Sequence, residues 1–427
     1  MRLAHPLART LALGLAALAG AAGCGANCAE IAARKRALTE RTAIAAGPHA
    51  RVHLPFARAN RLLAELVRDS ALRVPLAVPP LGPFTLPVPE LAAVARQVEL
   101  QPAPDGQLRF AIELELEDAD QPIAALTAVT DVRPELVRAG GASELVAGMS
   151  ADNLRTVQLH LRDQDGHALV DAVARWLPPA LRGRVPRPLL DAAARKLAEY
   201  LSDRAYDALR ATLLPRLGEV SRLRIRLPAL PIAAAQVSST PDALTVDLTT
   251  DLPVRRGLVA AAPASGDVVV QISESTAAEL TNWSIARGHL PQHYTRGLEP
   301  RADGDYRPYF DYLAEDRRRP VKIHVFQDRG GCSYFQVGLR FEIGLAGDRL
   351  EVAVHDRLVE AADASTALEV ALWLKQLIQG SVDTTYRAAA GTELTIGGRR
   401  FAARVLGAAA AGDDLAFTLG FGAAPGA

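Results

Sequence analysis

The sequence predicts an α+β protein built from two tandem copies of one module, each a highly curved antiparallel sheet wrapped around a long helix. Three observations support this fold class. A strand that runs directly into a short helix occurs twice, at residues 51–75 and 268–291. Each copy is followed by strand-like hairpins, and each half then contains a long amphipathic helix and a closing strand pair. An element order that repeats in this way is typical of internal duplication.

The short helix of the first copy carries an apolar stripe. Pro55 marks its first turn, and apolar residues follow at the three- and four-residue spacing of one helix face. In the second copy, Ser273 can cap the helix and Gly288 can end it. An offset of 218 positions aligns Val52 with Val270. The two strand-and-helix units are therefore predicted to be equivalent.

The next elements also occur in pairs. Alternating apolar and polar residues predict hairpins at 96–118 and 321–344. Helical spacing of apolar residues predicts long helices at 188–214 and 363–386.

Each half is predicted to close with a strand pair, at residues 231–252 and 400–422. An offset of 171 positions aligns Leu248 with Leu419 in these pairs. Between the halves, residues 258–267 contain four Ala together with one Pro and one Gly, which favours a linker.

The N-terminus has the features of a secretory signal peptide. Arg2 and Arg9 precede an apolar run that is too short to span a bilayer as a helix. The sequence AAGC that follows resembles the lipobox of bacterial lipoproteins, which implies that Cys24 is lipidated. Cleavage after Ala21, which would release a soluble protein, is the alternative.

These features divide the chain into five parts. They are a signal peptide at 1–23, a tether at 24–49, a first module at 50–257, a linker at 258–267 and a second module at 268–427. Two cysteines remain after Cys24. Cys28 lies in a tether expected to be mobile, so we expect free thiols at Cys28 and Cys332. A disulfide between them is the alternative in an exported protein.

Composition and motifs argue against several classes of protein. The 48 basic residues balance the 48 acidic residues, so no broad basic field is available to bind nucleic acid. The sequence contains no Gly-x-Ser-x-Gly elbow, phosphate-binding Gly-rich loop or His-Glu-x-x-His zinc helix. We therefore expect no enzyme, no cofactor and no metal site.

The stretch ISESTAAELTNWSIARGHL, residues 272–290, resembles the first helix of the second barrel in bactericidal/permeability-increasing and lipid-transfer proteins. Two copies of helix plus curved antiparallel sheet are likewise similar to the paired tubular lipid-binding (TULIP) barrels of that superfamily. The resemblance implies two TULIP-like barrels that bind lipid. The strongly basic first barrel of the bactericidal protein has no counterpart here, which argues against binding of lipopolysaccharide by that route.

If lipid lies between helix and sheet, an elongated cavity almost free of charge should be lined by residues of both modules. The expected positions are Phe56, Leu63, Leu66, Val67 and Ala193 in the first module and Leu280, Trp283, Leu368 and Ala371 in the second. Close packing of these small and apolar residues against the sheet is the alternative for each of them.

The expected function is that of an exported, lipid-anchored envelope protein, periplasmic or on the cell surface and attached to the outer membrane. It would bind lipid or another apolar ligand, with transfer of that ligand as an extension of the function. The alternative is a structural lipoprotein whose barrels are filled by their own side chains and which binds another protein of the envelope.

Residues 306–320, YRPYFDYLAEDRRRP, place aromatic residues beside three consecutive arginines in a predicted loop. Such a run suits a membrane surface or an anionic headgroup. The alternative is a folded loop whose arginines are solvated or paired with Glu315 and Asp316.

Overall fold

The computed structural model describes residues 28–70, 73–75, 91–118, 120–139, 142–148, 154–160, 167–208, 222–261, 266–295, 299–346, 349–362 and 370–423, with single positions between 211 and 219. Within them, residues 28–39 are helical (α1), and the other helices are α2 (Phe56–Ser70), α3 (His167–Trp176), α4 (Arg187–Ala208), α5 (Glu274–Ala286) and α6 (Val370–Ala390). The protein is thus α+β, as predicted.

All the strand pairs described are antiparallel. The strands are β1 (Ala50–Pro55), β2 (Arg73–Pro75), β3 (Leu91–Pro102), β4 (Leu108–Asp118), β5 (Gln121–Val132), β6 (Glu135–Ala139), β7 (Ala142–Ala147), β8 (Leu154–His160), β9 (Leu223–Arg226), β10 (Ile232–Ser239), β11 (Ala243–Thr250), β12 (Val268–Ser273), β13 (Tyr306–Tyr312), β14 (Val321–Gln327), β15 (Tyr334–Ala346), β16 (Arg349–Ala362), β17 (Glu393–Ile396), β18 (Arg399–Ala411) and β19 (Asp414–Ala423).

These strands form three sheets. The largest has ten strands in the order β10-β11-β1-β12-β19-β18-β17-β9-β7-β6 and therefore takes strands from both halves of the chain. A five-stranded sheet, β2-β3-β4-β5-β8, belongs to the first half, and a four-stranded sheet, β13-β14-β15-β16, belongs to the second. The sequence predicts a sheet for each half but not the sheet that the halves share.

The two halves meet where β1 pairs with β12. Ala50 and Val268, the first residues of these strands, are 218 positions apart, and each strand runs for six residues directly into its helix. Val52 lies opposite Val270 in the ladder. The two residues that the offset makes equivalent therefore face each other, as a two-fold relation between the halves requires.

The closing hairpins follow the second offset. Ala50 pairs with Leu248 on β11, and Val268 pairs with Leu419 on β19. Leu248 and Leu419 are 171 positions apart, so corresponding residues of the two halves occupy corresponding places in the shared sheet. The halves also pair a second time, through β9 and β17.

The ten-stranded sheet is nearly closed. Its two edge strands are β6 and β10, and the guanidinium of Arg138 on β6 donates hydrogen bonds to the carbonyl oxygens of Ile232 and Ala233 on β10, at 2.8 and 3.2 Å. A side chain therefore bridges the two edges where no backbone ladder joins them.

The ends of α5 are those predicted. Ser273 Oγ accepts a hydrogen bond from the backbone N–H of Thr276 at 3.1 Å, which satisfies one of the free donors of the first turn. Gly288 follows the last turn with φ of +75°, a conformation that glycine adopts without strain.

Residues 28–49 are not a mobile tether, so that expectation is wrong. A disulfide joins Cys28 to Cys332, and the expectation of free thiols is also wrong. Leu38 of α1 is buried in a small cluster with Phe326 and Tyr334 of the second half. A covalent bond and buried apolar contacts hold the segment in place. The expected signal peptide and lipidation site, including Cys24, lie outside the described residues.

The aromatic part of the run at 306–320 is a strand rather than a loop. Tyr306–Tyr312 forms β13 and pairs with β14, and its aromatic side chains enter the core on alternate positions. Of the arginines that follow, Arg319 lies 3.5 Å from Glu360 and 3.9 Å from Asp316.

The disulfide makes a direct stability prediction. Replacing both Cys28 and Cys332 with Ser should lower the free energy of unfolding, measured in urea, by about 2–4 kcal/mol, because a cross-link between distant residues restricts the unfolded chain. Trypsin should also cut faster at the arginines of residues 34–41. Reduction of the wild-type protein is the matched control and should give the same changes. An unaltered urea midpoint and cleavage pattern would show that the disulfide does not hold α1.

Candidate functional site

The apolar stripe of α2 is core rather than the wall of a charge-free cavity. Phe56, Leu63, Leu66 and Val67 are all buried, at 1–7% exposure, and belong to the main hydrophobic cluster. A cavity of about 790 Å³ does lie beside α2, but only Val67 of these four residues borders it. Its other lining residues include five charged ones: Arg68, Arg73, Arg96, Glu117 and Asp120.

Three of the predicted cavity residues come from the predicted long helices, and only one of them, Ala193, has a side chain that the structure describes. Ala193 lies on the exposed side of α4, whereas Ala194 and Leu197 are buried, so Ala193 is not a cavity residue. Three consecutive alanines, at residues 192–194, give α4 no distinct apolar face in that turn. The sequence therefore could not show which of them is buried. Leu368 and the side chain of Ala371 lie outside the described residues.

In the second half, a cavity of about 310 Å³ lies between α1, α5, β13 and β14. Trp283 borders it, whereas Leu280 is 1% exposed and packs into the core. The remaining lining residues were not predicted, because they come from segments far apart in sequence: Lys35 and Thr39 of α1; Asp251, Leu252 and Pro253; Glu279, Asn282, Ile285 and Ala286 of α5; Arg307, Pro308 and Tyr309 of β13; and Phe326 of β14.

The lining of the cavity combines apolar and charged side chains. Trp283, Phe326, Pro253 and Pro308 contribute apolar surface, and the guanidinium of Arg287 lies 4.7 Å from the centre of the Trp283 ring. A cation at this distance over an indole ring is a stabilising contact. The cavity is not the charge-free one expected, because four of its lining residues are charged: Lys35, Asp251, Glu279 and Arg307. A ligand with one apolar part and one polar part fits this lining.

Glu279 of this lining belongs to a buried network. The centre of the network is Arg41, which does not itself border the cavity. Its guanidinium donates to Glu279 and, at 3.0 Å, to Asp311. Arg255 reaches the same Asp311 oxygen at 3.0 Å, and Tyr309 Oη donates to Glu279 at 3.5 Å. Two arginines thus face two carboxylates that are almost fully buried. Pairing of this kind offsets the cost of removing the charges from water.

Asn282 fixes α5 to β13 beside this network. Its side-chain amide donates to Glu279 at 3.1 Å and to the carbonyl oxygen of Phe310 at 2.8 Å, and its oxygen accepts from the Phe310 N–H at 2.8 Å. The helix and the strand that form two walls of the cavity are therefore held in fixed register.

Burial raises the pKa of Glu279 to about 7, and the Asp311 charge acts in the same direction, while Arg41, Asn282 and Tyr309 oppose the shift. The Glu279 carboxyl, which borders the cavity, therefore changes charge close to neutral pH.

The described residues meet neither the requirements of a metal site nor those of a membrane-spanning helix. In the described part of the chain, no group of three or more His, Cys, Asp or Glu side chains is placed to hold a metal ion. No described helix combines the length and apolar character needed to cross a bilayer.

No protein-family model matches the chain, and no curated protein matches it. Solved structures similar to it include P47 of Clostridium botulinum E1, with a TM-score of 0.39 and 7% identity over 88% of this chain and 99% of that one. P47 from Clostridium botulinum A2 has a TM-score of 0.35 and 10% identity over 87% and 97%. A lipopolysaccharide binding protein has a TM-score of 0.30 and 12% identity over 88% and 99%. At such TM-scores we base no functional conclusion on these similarities.

The titration of Glu279 predicts an unusual pH dependence. The folded protein binds a proton that the unfolded chain releases between about pH 4.5 and pH 7, so this group lowers stability as the pH rises through that window. Glu279→Gln removes the titration. The free energy of unfolding of the variant relative to wild type should therefore increase between about pH 5 and about pH 8.

Urea titrations of both proteins at the two pH values measure this difference. A relative stability that instead decreases towards pH 8 would mean that the ion pair with Arg41 outweighs burial, and that the carboxylate is stabilised in the folded state.

Proposed function

We propose that this protein binds a small apolar or amphipathic ligand in the cavity between α1 and α5. The observation that supports the proposal is the lining of this cavity, in which the aromatic side chains of Trp283 and Phe326 stand with a few charged groups, among them Glu279. Ligand sites are concave and largely apolar, with a few polar groups that fix orientation. The cavity beside α2 has no aromatic residue among the described residues that line it.

The volume limits the ligand. A cavity of 310 Å³ lies at the lower end of the range of about 300–1,000 Å³ that small-molecule sites occupy. It suits one short acyl chain or a group of similar size, and not a complete two-chain lipid. Each buried methylene contributes about 0.8 kcal/mol of binding free energy, so even a short chain gains several kcal/mol in this cavity.

We further propose that the two halves are TULIP-like modules. The support is internal to the chain: the strand-and-helix units and the closing hairpins of the two halves keep the same registers in the shared sheet. The packed stripe of α2 favours a structural role for the first module, so we assign the ligand to the second module alone.

Export and a lipid anchor at Cys24 remain part of the proposal. Cys24 is four residues from Cys28, and four extended residues span at most about 14 Å. Because Cys28 is bonded to Cys332 between β14 and β15, an anchor at Cys24 would hold that turn next to the membrane surface. The cavity under α1 would then lie in the half of the molecule nearest the lipid.

Filling the cavity should prevent binding. Ala286 borders it at the exposed end of α5, so Ala286→Trp should place an indole ring inside the cavity without overpacking the core. In native mass spectra, an apolar ligand that co-purifies with the wild-type protein should be lost from this variant. The melting temperature of the protein should change little.

Ala193→Trp is the matched control, because it makes the same substitution on an exposed helix surface away from the cavity. It should retain the ligand. A wild-type protein that never carries a ligand and does not bind decanoic acid would instead support the structural alternative.

The anchor has its own test. Cys24→Ala should move the protein from the membrane fraction to the soluble fraction of the cells that export it, since a single lipidated residue carries the attachment. A wild-type protein that is already soluble, with Ala22 as its mature N-terminus, would show that the chain is released rather than anchored.

A further inference from the structure

Another cavity, of about 380 Å³, lies at the opposite end of α5 from the cavity under α1, and its lining includes three arginines, Arg256, Arg317 and Arg340. It shares no lining residue with the cavity under α1. Glu274, the first residue of α5, borders the arginine cavity, and Ala286, the last, borders the other. At 1.5 Å per residue these two positions are about 18 Å apart along the helix.

Each arginine comes from a different element, and Arg256 is held most firmly. Its backbone N–H donates to Ser275 Oγ at 3.3 Å, and its carbonyl oxygen accepts from Ser273 Oγ at 3.0 Å. Its guanidinium pairs with Asp413 at 2.7 Å. The cap of α5 thus fixes one wall of the cavity.

Arg317 and Arg340 approach from the second-half sheet. Arg317 belongs to the turn between β13 and β14, and Arg340 lies on β15. Neither side chain makes an ion pair or a hydrogen bond with any residue that the structure describes. Arg319, two residues along the same turn, differs because Glu360 and Asp316 lie close to it.

The charges of the cavity do not cancel. Three guanidinium groups face two carboxyl groups, Glu274 and Asp413, and Asp413 is already paired with Arg256. Burial raises the pKa of Glu274 to about 7, an effect that Asp413 and Asp414 increase and Arg340 opposes. Part of the negative charge is therefore removed by protonation near neutral pH. The positive end of the α5 dipole adds to the same field.

We propose that this cavity binds a phosphate group, either as a free phosphate or as the phosphomonoester headgroup of a lipid, through Arg317 and Arg340 with Arg256 behind them. The planar guanidinium presents its donors in a fork that matches phosphate oxygens. Within the described part of the chain, neither the Arg317 nor the Arg340 guanidinium makes an ion pair or a hydrogen bond, and a dianion between them would satisfy both. The proposal does not depend on the ligand in the cavity under α1.

Calorimetric titration with inorganic phosphate tests the proposal on the full mature protein. Arg317→Gln and Arg340→Gln should each weaken phosphate binding by about tenfold or more, as the loss of a charge-assisted hydrogen bond does. Arg318→Gln is the matched control: it removes the same charge from the neighbouring position, which does not border the cavity, and it should bind phosphate as the wild type does. All three residues are exposed, and circular dichroism should show all three variants folded.

Sedimentation with phosphatidylcholine vesicles that contain phosphatidic acid distinguishes the two sources of phosphate. Binding to these vesicles that is lost in the same two variants identifies a lipid headgroup, and binding of inorganic phosphate alone identifies a soluble ligand. The absence of both kinds of binding in the wild type, or an equal loss in Arg318→Gln, would overturn the proposal. Ala286→Trp should keep its affinity for phosphate, so failure of the apolar site is recognised separately.

Discussion

The antiparallel pairing of β1 with β12 is the constraint on which the rest of the structure depends. Because the strands run in opposite directions and each leads directly into a helix, α2 and α5 leave the pair at opposite ends. All six residues of β12 are buried, so this strand is covered on both faces. The pairing thereby fixes where α5 begins, and the two ends of α5 border the cavity beside Trp283 and the arginine cavity.

The N-terminal segment, residues 28–49, adds contacts to the second half that the shared sheet does not provide. Without α1 and Arg41, the cavity beside Trp283 would lose one wall, and Glu279 and Asp311 would be left with Arg255 as their only cationic partner among the described residues. Buried carboxylates that lose a partner are costly. The disulfide to Cys332 keeps this segment close, so the covalent link, the ion pairs and the cavity form one unit.

Local features of the fold could be predicted from the sequence, whereas contacts between distant residues could not. The Ser273 cap, the Gly288 end of α5 and both repeat offsets depend on residues that are near one another or on a repeated pattern. The ordering of residues 28–49 depends on a bond across 304 positions, which no local pattern reveals. Trp283 lies on a helix with a recognisable cap, so the sequence could single it out as a candidate, whereas nothing in the sequence around Lys35 and Phe326 links them to the same cavity.

The claim that the cavity beside Trp283 holds an apolar ligand is tested most directly by fluorescence quenching with a bromine-labelled decanoic acid, compared between the wild type and Trp283→Phe. Bromine quenches an indole only at short range. If the acid binds in this cavity, the wild type should lose emission on titration, and most of that loss should disappear in the variant while Trp176 and Trp373 still emit. Equal quenching in both proteins, or none in the wild type, would contradict the claim.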